Sequence, residues 1–502
     1  MYLMNPKNWL VAVSALAIMA SVAHADGNFA NVAQNGTDND AAVVQGPGDF
    51  NRAGTADGAG APGAVLQKGD DNALAITQSG SNNAVGTLGE GFDQKGNRNR
   101  TTIEQASGSN RVDEVQQTDK TRFGSADRNT LDIFQGGSTG GNTIGSVRQT
   151  RRELDWEPGN SATIRQTSDG NSLGKLDQEG YRNTVSLVQS GGSGNHAGTV
   201  SQQGAYNRIA LTFSGANNGA TDFAPVMLSG TAAFANLTQG DVTQIGIGNE
   251  LNDFVVTGDR NAFGFSQNGL AGNEIGGYVT GSGNQFGVYQ NGIFNASTIG
   301  VSGSANEVYI RQDGSFNAAL ANAVGGDGNG LIVTQQNNNN SGSVVVDGGS
   351  NLVRLAQNGG ALIGNKASVN ITGTGNHADI DQTKSGFGGA NALTLDIFGN
   401  DNNNNPSLMA FGGAALLAAQ GTGLEPGLIR QNGSGNSITM NVGKATSSSD
   451  GNVFAFLQDG GYNTIEGSVL GSSNQVVVVQ SGSNNFTSFS QSGSFNIIGV
   501  NQ

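Results

Sequence analysis

From Gln34 to Gln502 the chain restates one pattern, QxGxxNxxxxxQ. Copies recur at steps of about 11 or 22 residues, and a fixed period of that length implies a stack of like units that bury their faces against one another. Clean copies are Gln34, Gly36, Asn39 and Gln45; Gln67, Gly69, Asn72 and Gln78; Gln94, Gly96, Asn99 and Gln105; and Gln178, Gly180, Asn183 and Gln189. Towards the end they run head to tail, with Gln480, Asn485, Gln491, Asn496 and Gln502 sharing glutamines between neighbours.

Between each motif Asn and the next Gln the even offsets are apolar. Phe286 and Val288 separate Asn284 from Gln290, Val308 and Ile310 separate Asn306 from Gln312, and Val353 and Leu355 separate Asn351 from Gln357. Odd offsets are polar, as in Arg100, Thr102 and Glu104. Alternation of this kind belongs to a half-buried strand, and the glycines supply turns that reverse the chain within a few residues. From 249 to 382 the glutamines Gln267, Gln290, Gln312, Gln335 and Gln357 interleave with Val279, Val301, Ala323, Val346 and Ile371, so the unit is two strands. The expected fold is all-β: a β-solenoid of stacked strand-turn-strand rungs. Roughly 20 rungs of about 22 residues would make a rod on the order of 100 Å long, with one flank a column of Gln and the other of Val and Ile.

Composition narrows the function. The 502 residues include 81 glycines and no cysteine, only 13% are charged and 6% aromatic, and the net charge is -15. Charge this sparse and negative argues against nucleic-acid binding, which needs clustered Lys and Arg, and stability has to come without disulfides. The inward amides need partners, because a buried amide left unpaired costs about 1–3 kcal/mol. Stacking at roughly 4.8 Å lets each side chain bond its counterpart one rung along.

The repeat lapses at 46–63, 117–126, 150–157, 220–235, 403–427 and 444–450, which read as loops on one continuous 34–502 rod. Glu114 falls on an inward offset that the strand pattern does not explain. Met1 to Ala25 reads as a secretory signal, with Lys7, an apolar run from Trp9 to Ala20 and a small-residue cleavage site at Ala23-His24-Ala25. The run is shorter than the roughly 20 residues of a membrane span, so the mature chain is expected to begin at Asp26 and to be exported. The last strand, Asn496 to Gln502 with Ile498 and Val500 inward, carries no cap and reads as a template for another chain, with Gln34–Gln45 or Gln67–Gln78 receiving it.

Catalytic, cofactor and metal sites are not expected. Ser138 lies in a nucleophile-elbow pattern at Gly136–Gly140, but His196 and His377 are the only histidines outside the signal and both sit on outward offsets. Gly325–Gly330 matches a calcium-binding repeat once, not in tandem. Outward aromatics such as Phe134 and Tyr289 suit lateral packing between filaments.

A signal followed by tandem QxGxxNxxxxxQ units resembles the curlin repeat of curli fibre subunits, over almost the whole mature chain. The resemblance implies a β-solenoid subunit exported through a dedicated outer-membrane pore of a Gram-negative bacterium, with a nucleator subunit as partner. It implies assembly with copies of itself into an extracellular amyloid fibre of the biofilm matrix that serves cell adhesion. It also implies that Asn72, Gln78, Asn99, Gln105, Asn183, Gln189, Asn284, Gln290, Asn306, Gln312, Asn474, Gln480, Asn485 and Gln491 form ladders, and that Asp26–Ala33 is the segment the pore reads. The chain departs from the family in its many repeats, its long insertions and its Val or Ile in place of motif Gln. Two other readings stay open: a monomeric adhesin or binding rod recognising targets through loops 150–157 and 403–427, and a solenoid enzyme acting on polysaccharides.

Overall fold

The period resolves into a parallel β-solenoid. The computed structural model describes residues 27–54, 64–87, 91–119, 129–151, 157–220, 222–228, 234–404 and 410–502. The signal at 1–25 and Asp26 lie outside the described residues, as do parts of the lapses at 46–63, 117–126, 150–157, 220–235 and 403–427. Strands make up 58% of the described residues and stack in about 18 turns of ~24 residues, beside a single described helix. The expected rung was slightly shorter and the stack slightly taller, because the insertions lengthen the mean turn.

Each turn of the solenoid lays one strand on face A, reverses, lays a second on face B and reverses again. On face A, Gln285–Asn291 pairs in parallel with Ala262–Gly269 before it and Glu307–Asp313 after it; on face B, Ala296–Ser302 lies between Glu274–Thr280 and Ala318–Val324. The even-offset residues Phe286, Val288, Ile299 and Val301 are fully buried between the faces. Burying one such side chain contributes about 1.5–3 kcal/mol, and one continuous apolar core repeats the gain at every level.

Motif glycine has a cause beyond its turn. Gly292 has φ +125°, and a Cβ there would stand 1.8 Å from the carbonyl oxygen of Gly314 in the next rung. Strand-spaced stacking leaves no room for a side chain at that position, so the glycine column is set by the neighbour as much as by the turn.

Register explains Glu114. In Arg111–Asp119, Thr143–Arg151, Ser172–Tyr181 and His196–Ala205 the buried Asn and Gln are seven residues apart, as in Asn110 and Gln117, instead of six. Every strand of this group carries the same extra residue, so the register holds: Val112 pairs with Ile144, Glu114 with Ser146, and Val115 with Val147 resumes the inward phase. Glu114 therefore turns outward, half-buried. Gly145 and Gly174 stack at this level because a Cβ on Gly145 would stand 2.4 Å from the Gly174 carbonyl oxygen.

Three expectations are corrected. Gln117, Thr150 and Arg151 belong to strands, not to interruptions, and Arg151 and Asp119 form a buried ion pair at 3.5 Å in the motif-glycine column. Face B is not an apolar column throughout: its inward position is Gln45, Gln78, Gln105, Gln135, Gln166 and Gln189 first, then Phe213, Val256 and Val279. Nor is the outer side of face A all solvent chemistry. The excursions that begin near Gly219 and Asn403 fold back over it, Leu228 and Phe234 covering Tyr309, and the helix Gly413–Ala419 covering Ala455, Val477 and Val479. That helix also reaches the last strand, where a Cβ on Gly499 would stand 2.0 Å from the Ala414 carbonyl oxygen. The helix thus backs Ile497–Asn501 at Gly499, and among the described residues that strand pairs with Gln475–Ser483 only.

Candidate functional site: four amide columns

The repeated amides sort into four columns, one pair for each face. On face A, Gln290 Nε2 donates to Gln312 Oε1 at 2.8 Å, Gln312 to Gln335 at 2.8 Å and Gln335 to Gln357 at 2.8 Å. The column starts with Gln34 to Gln67 at 2.7 Å and continues to Gln480 and Gln502 at 3.2 Å. The second hydrogen of each amide braces the opposite face, as in Gln290 Nε2 to the Glu274 carbonyl at 2.8 Å. Both donors and the carbonyl are satisfied, which is how a wholly buried amide is stabilised.

Asparagines do the reverse. The Asn306 backbone N–H and Nδ2 both donate back to Asn284 Oδ1, at 2.9 and 3.2 Å, and Asn284 Nδ2 ties the turn through the Gly303 carbonyl at 2.9 Å. Asn351, Asn474 and Asn496 continue this column at the start of face A strands. Asn39, Asn72, Asn99, Asn183 and Asn485 form its counterpart at the start of face B strands.

Along the ladders, glutamine-to-glutamine donors thus point towards the C-terminal end of the stack and asparagine-to-asparagine donors towards the N-terminal end, while the other Asn Nδ2 hydrogen reaches a glycine carbonyl of the following rung. Neighbouring groups fix both senses. The backbone N–H of each Asn needs the Oδ1 before it, and the Gln Nε2 needs the backbone carbonyl across the core.

Gln45, Gln78, Gln105 and Gln189 belong to face B, where Gln45 donates to Gln78 at 2.9 Å and Gln78 to Gln105 at 2.8 Å. That ladder stops at Gln189, whose next neighbour is Phe213. Gln491 joins none: it stacks beside Val469, and its buried Oε1 has no hydrogen-bond partner.

Residues 69–106 match the model of the curlin associated repeat. That segment carries a curlin-type repeat. No curated protein matches the chain. The matched segment lies where glutamine occupies both faces, from Asn72 and Gln78 on face B to Gln94 on face A and on to Asn99 and Gln105.

Sequence reasoning missed members of the face A ladder at Gln117 and Gln149, which link Gln94 to Gln178 by bonds of 2.7–2.8 Å. The recurring seven-residue step from Asn110 to Gln117, Asn142 to Gln149 and Asn171 to Gln178 was the available signal. A further ladder runs along the turns. Thr37 gives its backbone N–H and Oγ1 to Asp70 Oδ1, and Ser304 N–H bonds Asp327 Oδ1 at 2.6 Å. These donors hold the Asp70 carboxyl below its ordinary pKa, the Thr37 backbone N–H most of all. Asp169 is held further below the usual carboxylate range, first by Ser138 Oγ and then by the N–H groups of Gly140 and Thr139.

Ser138 therefore serves Asp169, at 2.7 Å, and His196 Nδ1 lies 2.7 Å from Ser172 Oγ. The Asp327 of the calcium-like stretch is likewise a turn acceptor.

Proposed function

We propose that this chain is a structural subunit that stacks end to end into an extracellular curli-like amyloid fibre, serving the biofilm matrix and cell adhesion. The observation that carries the proposal is the opposed polarity of the columns. One end of such a stack offers Gln N–H donors and Asn Oδ1 acceptors, and the other offers Gln Oε1 acceptors and Asn donors. A second copy placed head to tail matches each group with its complement, whereas head to head sets acceptor against acceptor. Among the described residues the end strands Phe29–Ala30, Val32–Asn35 and Ile497–Asn501 each pair on one side, which presents a strand edge of the kind that serves as a template for growth.

Export through an outer-membrane pore, seeding by a nucleator and residence on a Gram-negative cell surface follow from the likeness to curli and belong to the same proposal. A solitary binding rod would need free loops. The described part of 403–427 instead lies folded on face A, its Gly412 N–H bonded to Gln475 Oε1 at 2.7 Å, which favours the fibre.

Purified protein tests the reading through thioflavin fluorescence and electron microscopy. Concentration-dependent fibres are expected, with fibre diffraction spacings near 4.8 Å along the axis and about 10 Å across it. Deleting Gln480–Gln502 should stop their growth. A chain that stays single at every concentration would sink the proposal.

A further inference from the structure

The described stack opens and closes on the same face. Its first strands, Phe29–Ala30 and Val32–Asn35, and its last, Ile497–Asn501, all lie on face A, while face B runs from Asp40–Gln45 to Phe486–Ser492. Face A thus holds one more level than face B. Were two copies simply to abut head to tail, Ile497–Asn501 would pair with residues 29–35 of the next copy, and face B would lack a strand. Phe486–Ser492 and the next copy's Asp40–Gln45 would then stand two strand spacings apart, about 9.6 Å, with their backbone groups unpaired across a void.

The two end strands of face A are interchangeable. Asn28, Ala30, Val32 and Gln34 have the same spacing as Asn496, Ile498, Val500 and Gln502. Asn28 Oδ1 accepts from the Asn51 N–H at 2.8 Å and Gln34 Nε2 donates to Gln67 at 2.7 Å; Asn496 and Gln502 carry the same groups at the same steps. The first strand is the less well held. It breaks at Asn31, it puts Ala30 where the last strand puts Ile498, and Ala33 to Asn35 are exposed. The last strand is continuous and is backed by the helix at Gly499.

Gln491 supplies an independent observation. From Phe213 to Val469 the inward column of face B is apolar, yet Gln491 returns to glutamine against Val469. Its Nε2 uses one hydrogen on the Gln475 carbonyl at 3.2 Å. Valine would suit that position better within one chain. Glutamine suits it if the next strand along face B begins the Gln45 column, whose Oε1 takes the second hydrogen.

We infer that copies join by strand replacement. Residues 496–502 of one copy take the place of residues 28–34 on face A of the next, displacing them, so that Phe486–Ser492 pairs directly with Asp40–Gln45 and Gln491 stacks on Gln45. The exchange replaces one Asn-to-Gln strand by a more apolar one. It also closes face B, which abutment leaves open. The inference rests on the end-to-end assembly proposed above and specifies its junction.

Because the chain has no cysteine, introduced pairs report the junction cleanly. Ala33 pairs with Leu66 in the native register, so replacement sets Asn501 beside Leu66 of the next copy, while abutment sets it beside Ala33. Neighbouring strands bring such Cα atoms to about 4.8 Å, within the range a disulfide spans. Fibres of N501C/L66C and of N501C/A33C would be oxidised and run on non-reducing gels. The first is expected to give a covalent ladder in which most chains are dimers or larger, and the second to remain monomeric. A ladder from the second variant alone, or from neither, overturns strand replacement and leaves end-to-end assembly standing. Absence of fibres from the unaltered protein overturns the assembly itself.

Discussion

A glutamine amide has two donors and a carbonyl, and Gln290 uses all of them: it accepts from Gln267 at 2.9 Å and donates to Gln312 and to the Glu274 carbonyl. Gln290→Asp would keep the acceptor but aim a carboxylate at Gln312 Oε1 and at a backbone carbonyl with no hydrogen to offer. An unpaired buried charge costs about 3–5 kcal/mol, and native-state hydrogen exchange should show the loss concentrated in Ala262–Gly269 and Glu307–Asp313. Gln290→Leu should be the milder variant, because it leaves the neighbouring groups unpaired at about 1–3 kcal/mol each without adding the charge. Normal protection in the Asp variant would refute the ladder's role. Asp169 gives a pH prediction of known sign. Its folded pKa is depressed, so its contribution to the turn is complete above the ordinary carboxylate pKa of about 3.9 and is lost as pH falls through the lower folded value. Exchange of the Thr139 and Gly140 amides, corrected for intrinsic rate, should be steady from pH 5 to 8 and quicken only under strong acid. Asp169→Asn should remove that transition.

At the scale of elements, strands were legible and their attachments were not. The inward set of Phe286, Val288 and Gln290 can be read from alternation alone, because a strand's period of two is local. The extra residue at Asp113 and Glu114 shifts that phase by one, and its one signal in the sequence is the seven-residue step from Asn110 to Gln117. The excursions have a signal that alternation hides. Val476 to Val479 are consecutive apolar residues, as expected of a strand covered on both sides, and the helix Gly413–Ala419 is what covers the second side. The first excursion is latched by the buried Glu307 carboxylate, which accepts from the backbone N–H groups of Val226, Met227 and Leu228. Glu307→Ala should release it. Limited proteolysis is expected to nick the variant between 219 and 240 while the rod stays intact, and an unchanged digestion pattern would discount the latch.

Across the whole molecule each rung touches only its neighbours, so stability should be a sum of local terms and not one cooperative transition. The early rungs are amide-lined on both faces. The middle ones bury Phe213, Phe254, Phe263, Phe265 and Phe286 in mutual contact, with ring centroids 4.9–6.3 Å apart. Aromatic burial exceeds what paired amides contribute, so denaturant should unfold the rod in stages, with amides of the middle rungs protected longest. A single sharp transition at all sites would contradict this. Sequence by itself determined the solenoid, the parity of its strands and the amides that line it, since each follows from a repeat that every rung carries. Tertiary structure alone decided where the second glutamine column stops, which lapses are loops and which are strands, and that the long insertions fold back over face A. Those features depend on what lies one rung away, some 22 or more residues along the chain, and no local pattern encodes that neighbour.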